Sequence, residues 1–197
     1  MIKVIAFDFG GVLGPDADDW TITFKDILLL TGIPQVKMQK IFDDHWSRLK
    51  IGKESMKTFW SCVALESKNK IKPERLRRTY NNSIFVNRDI LKLIGELKKK
   101  YQVVLLANDS DDDYLIKIKK LKLNRFFSKI YCSSNLGMAK PDRKIFRYVL
   151  KDLRIKPKEV IFIDNQENNY KASKLLGMNS ILFKGITDLE AKLQKIL

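Results

Sequence analysis

Five short apolar runs are spread along the chain, at residues 3–7, 102–106, 129–132, 160–163 and 180–183. Runs of this length, rich in Val, Ile, Leu and Phe, suit strands buried on both faces. The last four alternate with stretches of helical periodicity at 111–121, 141–153, 168–176 and 187–196. Strand alternating with helix at this spacing predicts a parallel sheet covered on both sides. Pro141 is placed for the first turn of a helix and Gly177 for a C-terminal cap. Residues 15–87 break the rhythm. No strand pattern appears there, and four amphipathic helices are expected near 18–30, 34–49, 53–67 and 73–82, punctuated by Gly and Pro. The predicted organisation is an α/β core of residues 1–14 and 88–197, interrupted by a helical insertion of residues 15–87.

That insertion carries all three tryptophans (Trp20, Trp46, Trp60) and the single histidine, His45. Aromatics at helical spacing predict the core of a small bundle, and His45 carries no special role. An apolar fraction of 45% in 197 residues suits a folded domain. No apolar run approaches the roughly 20 residues of a membrane helix. The chain leads directly into its first strand, without the basic region and apolar core of a secretory signal. Cys62 and Cys132 show neither metal-ligand spacing nor a disulfide framework. Together these features predict a reducing cytoplasm.

The formal charge of +15 is the one unusual quantity. Lysines far outnumber arginines and are scattered along polar faces, as at 98–100, 117–122 and 151–158, so a solvated surface is expected rather than a nucleic-acid interface. A positive field would still draw phosphorylated substrates toward a cleft.

In an open parallel sheet, ligands bind beyond the carboxyl ends of the strands. Asp8, Gly10 and Gly11 follow the first run; Ala107, Asn108 and Asp109 follow the second; Asp164 and Asn165 follow the fourth. Lys140 stands just before the predicted helix at 141–153. Two carboxylates, an amide and a lysine would therefore meet in one crevice. Hard oxygen ligands of this kind suit Mg²⁺ together with a substrate phosphate. The reaction class they suggest is phosphoryl transfer, with Asp8 as a covalent nucleophile.

FDFGGVL, NLGMAKPDRKIF and VIFIDNQENNYKASKLLGMNSILF resemble the first, third and fourth motifs of the haloacid-dehalogenase (HAD) superfamily of hydrolases. The resemblance spans nearly the whole chain and implies a three-layer, Rossmann-like parallel sheet with an inserted α-helical cap. It also implies an enzyme that forms an aspartyl-phosphate at Asp8. Lys140 would hold the nucleophile and the phosphoryl oxygens. Mg²⁺ would be bound by Asp8, the Gly10 carbonyl, Asp164 and, more weakly, Asn165. Asn108 and Gly11 would contact the phosphate, and Asn169 aligns with the asparagine of the fourth motif.

Three positions depart from the pattern. Gly10 stands where a second aspartate serves as general acid and base, a function worth about 10²–10⁴ in rate. Ala107 replaces a hydroxyl donor to the phosphoryl group, and Asn165 replaces a carboxylate. Asp16, Asp18 and Asp19 lie close enough in sequence to replace the acid, or they cap the first inserted helix. Three readings follow: a slow or selective Mg²⁺-dependent phosphatase on a small phosphorylated metabolite, a binding protein that has lost turnover, and a carbon–halogen hydrolase. Asp164 weighs against the last.

Overall fold

The computed structural model describes residues 1–16 and 23–197. Five strands, β1 (Val4–Phe7), β2 (Gln102–Ala107), β3 (Lys129–Cys132), β4 (Val160–Asp164) and β5 (Asn179–Leu182), form one sheet in the order β3-β2-β1-β4-β5. Every pairing is parallel, with Val4 opposite Gln102 on one side and Val160 on the other. The apolar runs thus appear as strands within a residue or two of their expected limits.

Side chains alternate across the sheet because strand periodicity is two. Ile5, Phe7, Val103, Leu105, Ile161 and Ile163 feed a core on one face. Val4, Ala6, Val104, Leu106, Val160 and Phe162 feed a second core on the other. The first face is covered by α5 (Arg88–Leu97) and α10 (Ile186–Ile196), through Ile90, Ile94, Leu189 and Leu193. The second is covered by α8 (Arg143–Leu153), through Ile145, Phe146 and Val149, and by α9 (Glu167–Leu175), through Ala172.

Two details differ from the sequence reading. Residues 88–97, assigned to no element there, form α5, capped by the Asn87 side chain, which accepts from the backbone amides of Asp89 and Ile90 at 3.0 and 3.3 Å. Pro141 is not in the first turn of α8. That helix begins at Arg143, because the Asp142 carboxylate caps it by accepting from the Lys144 amide at 2.9 Å. Gly177 follows α9 with a φ of +83°, as a terminating glycine should.

The inserted region forms α1 (Lys25–Thr31), α2 (Gln35–Leu49), α3 (Met56–Glu66) and α4 (Pro73–Ser83). Residues 18–22 of the first expected helix lie outside the described residues. A third core unites these helices, built around Phe24, Met38, Phe42, Phe59, Trp60 and Leu76. Phe59 packs edge-on against Trp60 with ring centres 4.7 Å apart, and Phe42 stacks on Trp46 at 5.4 Å. His45 ties α2 to the following loop through Glu54, which also accepts from Arg48 Nε at 2.7 Å.

The inserted helices touch the α/β core closely. A Cβ on Gly52 (φ +70°) would lie 2.6 Å from the Ser134 carbonyl oxygen, so only glycine permits this approach. Lys120 of α6 (Asp111–Leu121) donates to the carbonyls of Asn81 and Asn82. Phe59 is fully buried, so Phe59→Ala is expected to cost about 3–5 kcal/mol, measured as a lowered urea midpoint.

Candidate active site

The sheet order reverses between β1 and β4, and the site opens at their carboxyl ends. Asp8 leaves β1 with its amide donating to the Ile163 carbonyl at 2.9 Å, which locks it to the end of β4. Asp164 is the last residue of β4. Between them lies Lys140, whose Nζ is 2.7 Å from Asp8 Oδ1 and 2.7 Å from Asp164 Oδ2. The lysine side chain and that of Asp164 are fully buried, and Asp8 is nearly so.

Each carboxylate is further held. Asp8 Oδ1 accepts from the Phe9 amide at 2.7 Å, while Oδ2 is engaged by neither Phe9 nor Lys140. Asp164 accepts from the Gln166 amide at 2.8 Å and from Asn169 Nδ2 at 3.1 Å to both oxygens. Burial pushes the Asp8 carboxyl up to about 7, the ammonium of Lys140 opposes that rise, and the nearby charge of Asp164 adds to it. Lys140 is held above its ordinary range because its two carboxylates outweigh the cost of burial.

Asn108 binds the same lysine through its backbone. Its Nδ2 donates to the Lys140 carbonyl and its Oδ1 accepts from the Lys140 amide, both at 2.9 Å. The amide expected at the phosphate therefore also fixes the loop that carries the lysine. Gly11 has a φ of +69°, and its amide donates to the Gly14 carbonyl at 3.1 Å, so it is engaged in the turn. A Cβ there would lie 2.1 Å from Asn165 Nδ2 and 2.9 Å from Asp16 Oδ2. That space is used by an Asn165-to-Asp16 hydrogen bond of 2.6 Å. With Nδ2 so committed, Asn165 Oδ1 is buried without a hydrogen-bond partner.

These residues surround a cavity of about 250 Å³ lined by Asp8, Gly10, Asp16, Trp46, Asn108, Lys140 and Asn165. An orphaned buried oxygen beside carboxylate oxygens is the donor set a small hard cation takes, so the residues present fit Mg²⁺. Among the described residues no group of three or more His, Cys, Asp or Glu side chains is placed to hold a metal, so any ion here would depend on carbonyl and amide oxygens.

A second cavity, of about 70 Å³, shares Gly10, Trp46 and Asn108 with the first. Here the sequence reading is corrected twice. Trp60 is bundle core as expected, but Trp46 is half-buried and lines both cavities. Lys117 is not on a solvated face. It donates to Asp109 Oδ2 at 2.6 Å, with side-chain exposures of 13% and 7%. Asp113 and Lys117 are four residues apart on one side of the helix at 111–121, and Asp109 lies just before that helix. Asp18, Asp19 and Trp20 lie outside the described residues.

The chain matches the haloacid dehalogenase-like hydrolases over residues 5–183 and belongs to that family. A D-ribitol-5-phosphate phosphatase of Bacteroides thetaiotaomicron is 29% identical over 211 aligned positions, covering 100% of this chain and 99% of that one. A HAD family enzyme of the same organism, solved in complex with magnesium and inorganic phosphate, superposes with a TM-score of 0.78 at 28% identity, covering 93% of this chain and 95% of the other. A drimenol cyclase of Aspergillus calidoustus is 35% identical over 91 residues, 46% of this chain but only 17% of that protein. No described helix is long and apolar enough to cross a membrane.

Two predictions test the electrostatics. Lys140→Met leaves two buried carboxylates without their cation and is expected to destabilise the fold by about 3–5 kcal/mol at pH 8, read from urea denaturation in EDTA. Burial raises the Asp113 carboxyl to about 7, aided by Asp109 and Asp112 and opposed by Lys117 and Arg77, with the Tyr80 phenol also facing it. A carboxyl raised on folding binds its proton more tightly in the folded state, so stability falls as pH rises from about 4 through 7. Asp113→Asn should therefore gain melting temperature relative to wild type between pH 4.5 and pH 8, measured by thermal unfolding at both.

Proposed function

We propose that the protein is a Mg²⁺-dependent phosphatase that hydrolyses a small phosphate monoester by way of an aspartyl-phosphate at Asp8. The observation that carries this reading is the buried Lys140 held between Asp8 and Asp164 at the reversal point of the sheet. The full-length similarity to a D-ribitol-5-phosphate phosphatase supports the same class of substrate. Residues 15–87 act as a cap over the site, with Trp46 as the cap residue lining its cavity.

Lys140 and the Phe9 amide hold Asp8 Oδ1, leaving Oδ2 as the attacking oxygen. Attack at phosphorus forms the Asp8 O–P bond as the bond to the leaving oxygen breaks, its electron pair passing to that oxygen, which takes up a proton. Water then attacks the same phosphorus, loses a proton, and displaces the Asp8 carboxylate with release of inorganic phosphate. Asp8, Asp164, the Gly10 carbonyl and Asn165 Oδ1 would hold Mg²⁺, which when bound offsets charge on the phosphoryl oxygens. Asn169 and the Gln166 amide keep Asp164 oriented for that role.

No side chain at position 10 serves the leaving oxygen. Asp16 stands on the cavity wall as a further carboxylate. Among the described residues a Cβ at Gly10 would meet only the Pro15 carbonyl oxygen, at 3.9 Å, so a Cβ is tolerated there.

Turnover of p-nitrophenyl phosphate, whose leaving group needs little protonation, is expected to require Mg²⁺, stop in EDTA and vanish in Asp8→Asn. Folded wild-type protein inactive on this and on a sugar-phosphate panel would favour a phosphate-ester binding protein instead. Gly10→Asp is expected to raise kcat/KM for an alkyl phosphate at least tenfold, within the range of about 10²–10⁴ for general acid catalysis, with a smaller gain on p-nitrophenyl phosphate. The two steady-state assays side by side measure this, and equal gains would place the acid elsewhere.

A further inference from the structure

The smaller cavity is built unlike a packing defect. Voids left by imperfect packing are apolar and stay dry, whereas this one carries charged groups. Asp113 is only 3% exposed, lines the cavity, and has an Oδ1 with no hydrogen-bond partner among the described residues. Buried carboxylate oxygens are almost always satisfied, and one that is not calls for a donor from outside the chain. The cavity opens beside Gly10 and Asn108, the same residues that flank the nucleophile. A phosphate ester seated at Asp8 would therefore extend its leaving group toward Asp113.

We infer that Asp113 is a specificity-determining residue that accepts a hydrogen bond from a hydroxyl on the leaving group, so that the substrate is the phosphate of a small polyol or sugar. This rests on the reading of the Asp8 cavity as a phosphate-ester site.

Charge selects a hydroxyl over the alternatives. Lys117 is committed to Asp109 at 2.6 Å, and Arg77 reaches Asp112 at 3.5 Å. An anionic end, such as a carboxylate or second phosphate, would meet three carboxylates, Asp109, Asp112 and Asp113, set against only two cations, Lys117 and Arg77. A cationic end would have to give up its hydration among walls that are largely apolar, a cost that a neutral hydroxyl avoids. A hydroxyl donates its proton and changes no charge. The walls suit the carbon chain, since Phe24, Phe42, Trp46 and Met56 supply apolar surface. About 70 Å³ admits only a handful of non-hydrogen atoms.

The inference is tested by calorimetric titration of the turnover-blocked Asp8→Asn protein with Mg²⁺, using glycerol 3-phosphate, propyl phosphate, 2-aminoethyl phosphate and 3-phosphoglycerate. Glycerol 3-phosphate is expected to bind about ten- to a hundredfold more tightly than propyl phosphate, which lacks only the hydroxyls. Adding Asp113→Leu should bring the two within about threefold of each other. Adding Asp113→Asn, which keeps an acceptor oxygen, should preserve the preference. Equal affinity in the protein with Asp113 intact overturns the inference without reference to any variant at that position. So does a preference that survives Asp113→Leu, a stronger response to the amine or the carboxylate, or no binding of either matched ester. Wild-type turnover separates the two readings. Mg²⁺-dependent hydrolysis without hydroxyl preference removes this inference alone, whereas hydroxyl-selective binding without hydrolysis removes the phosphatase reading alone.

Discussion

A buried ammonium held between two carboxylates is the constraint on which the site depends. Lys140, Asp8 and Asp164 come from three separate segments, and none of their charges could be left alone at this depth. Desolvating a single ion costs several kcal/mol, recovered only where partners stand at close range. Both contacts at 2.7 Å meet that requirement. The surrounding hydrogen bonds then follow. Asn108 grips the lysine loop by its backbone, Asn169 and the Gln166 amide orient Asp164, and the Asp8 amide is tied to β4. The result is an Asp8 carboxylate with one oxygen held by Lys140 and the Phe9 amide.

Around this centre the loop after β1 and the loop after β4 interlock. Gly11 has no side chain, and the space it leaves is filled by the Asn165 amide reaching Asp16. Asn165 carries no charge of its own, but its hydrogen bond brings a carboxylate to the cavity wall and leaves its oxygen unpartnered. The amide at position 165 thus joins the end of β4 to the loop after β1. Gly10 is different, since among the described residues a Cβ there would meet nothing closer than the Pro15 carbonyl oxygen.

The inserted helices contribute by proximity rather than by charge. Their aromatic core is self-contained, and Trp46 extends that core to the site by stacking on Phe42. Close approach of Gly52 to Ser134 and the grip of Lys120 on the end of α4 hold them against the α/β core. The smaller cavity lies at this junction and is walled by both parts. That cavity therefore depends on the contact between them, while Asp8 and Asp164 stand at the strand ends.

The amino-acid sequence by itself determined the parallel sheet, its five strands and the helical insertion, because hydrophobic periodicity is a local signal. It also placed Asp8, Lys140 and Asp164 at strand exits or just before a helix, where they converge. It did not disclose α5, whose pattern lay unread between the insertion and β2. Nor did it disclose that Lys117 is half-buried while its neighbours Lys119 and Lys120 are exposed, because a lysine's surroundings depend on what packs over its helix. The amide-to-Asp16 bond joins residues 149 positions apart, and the aromatic wall of the second cavity comes from the inserted helices. Those arrangements arise only when distant segments meet, and only the tertiary structure decided them.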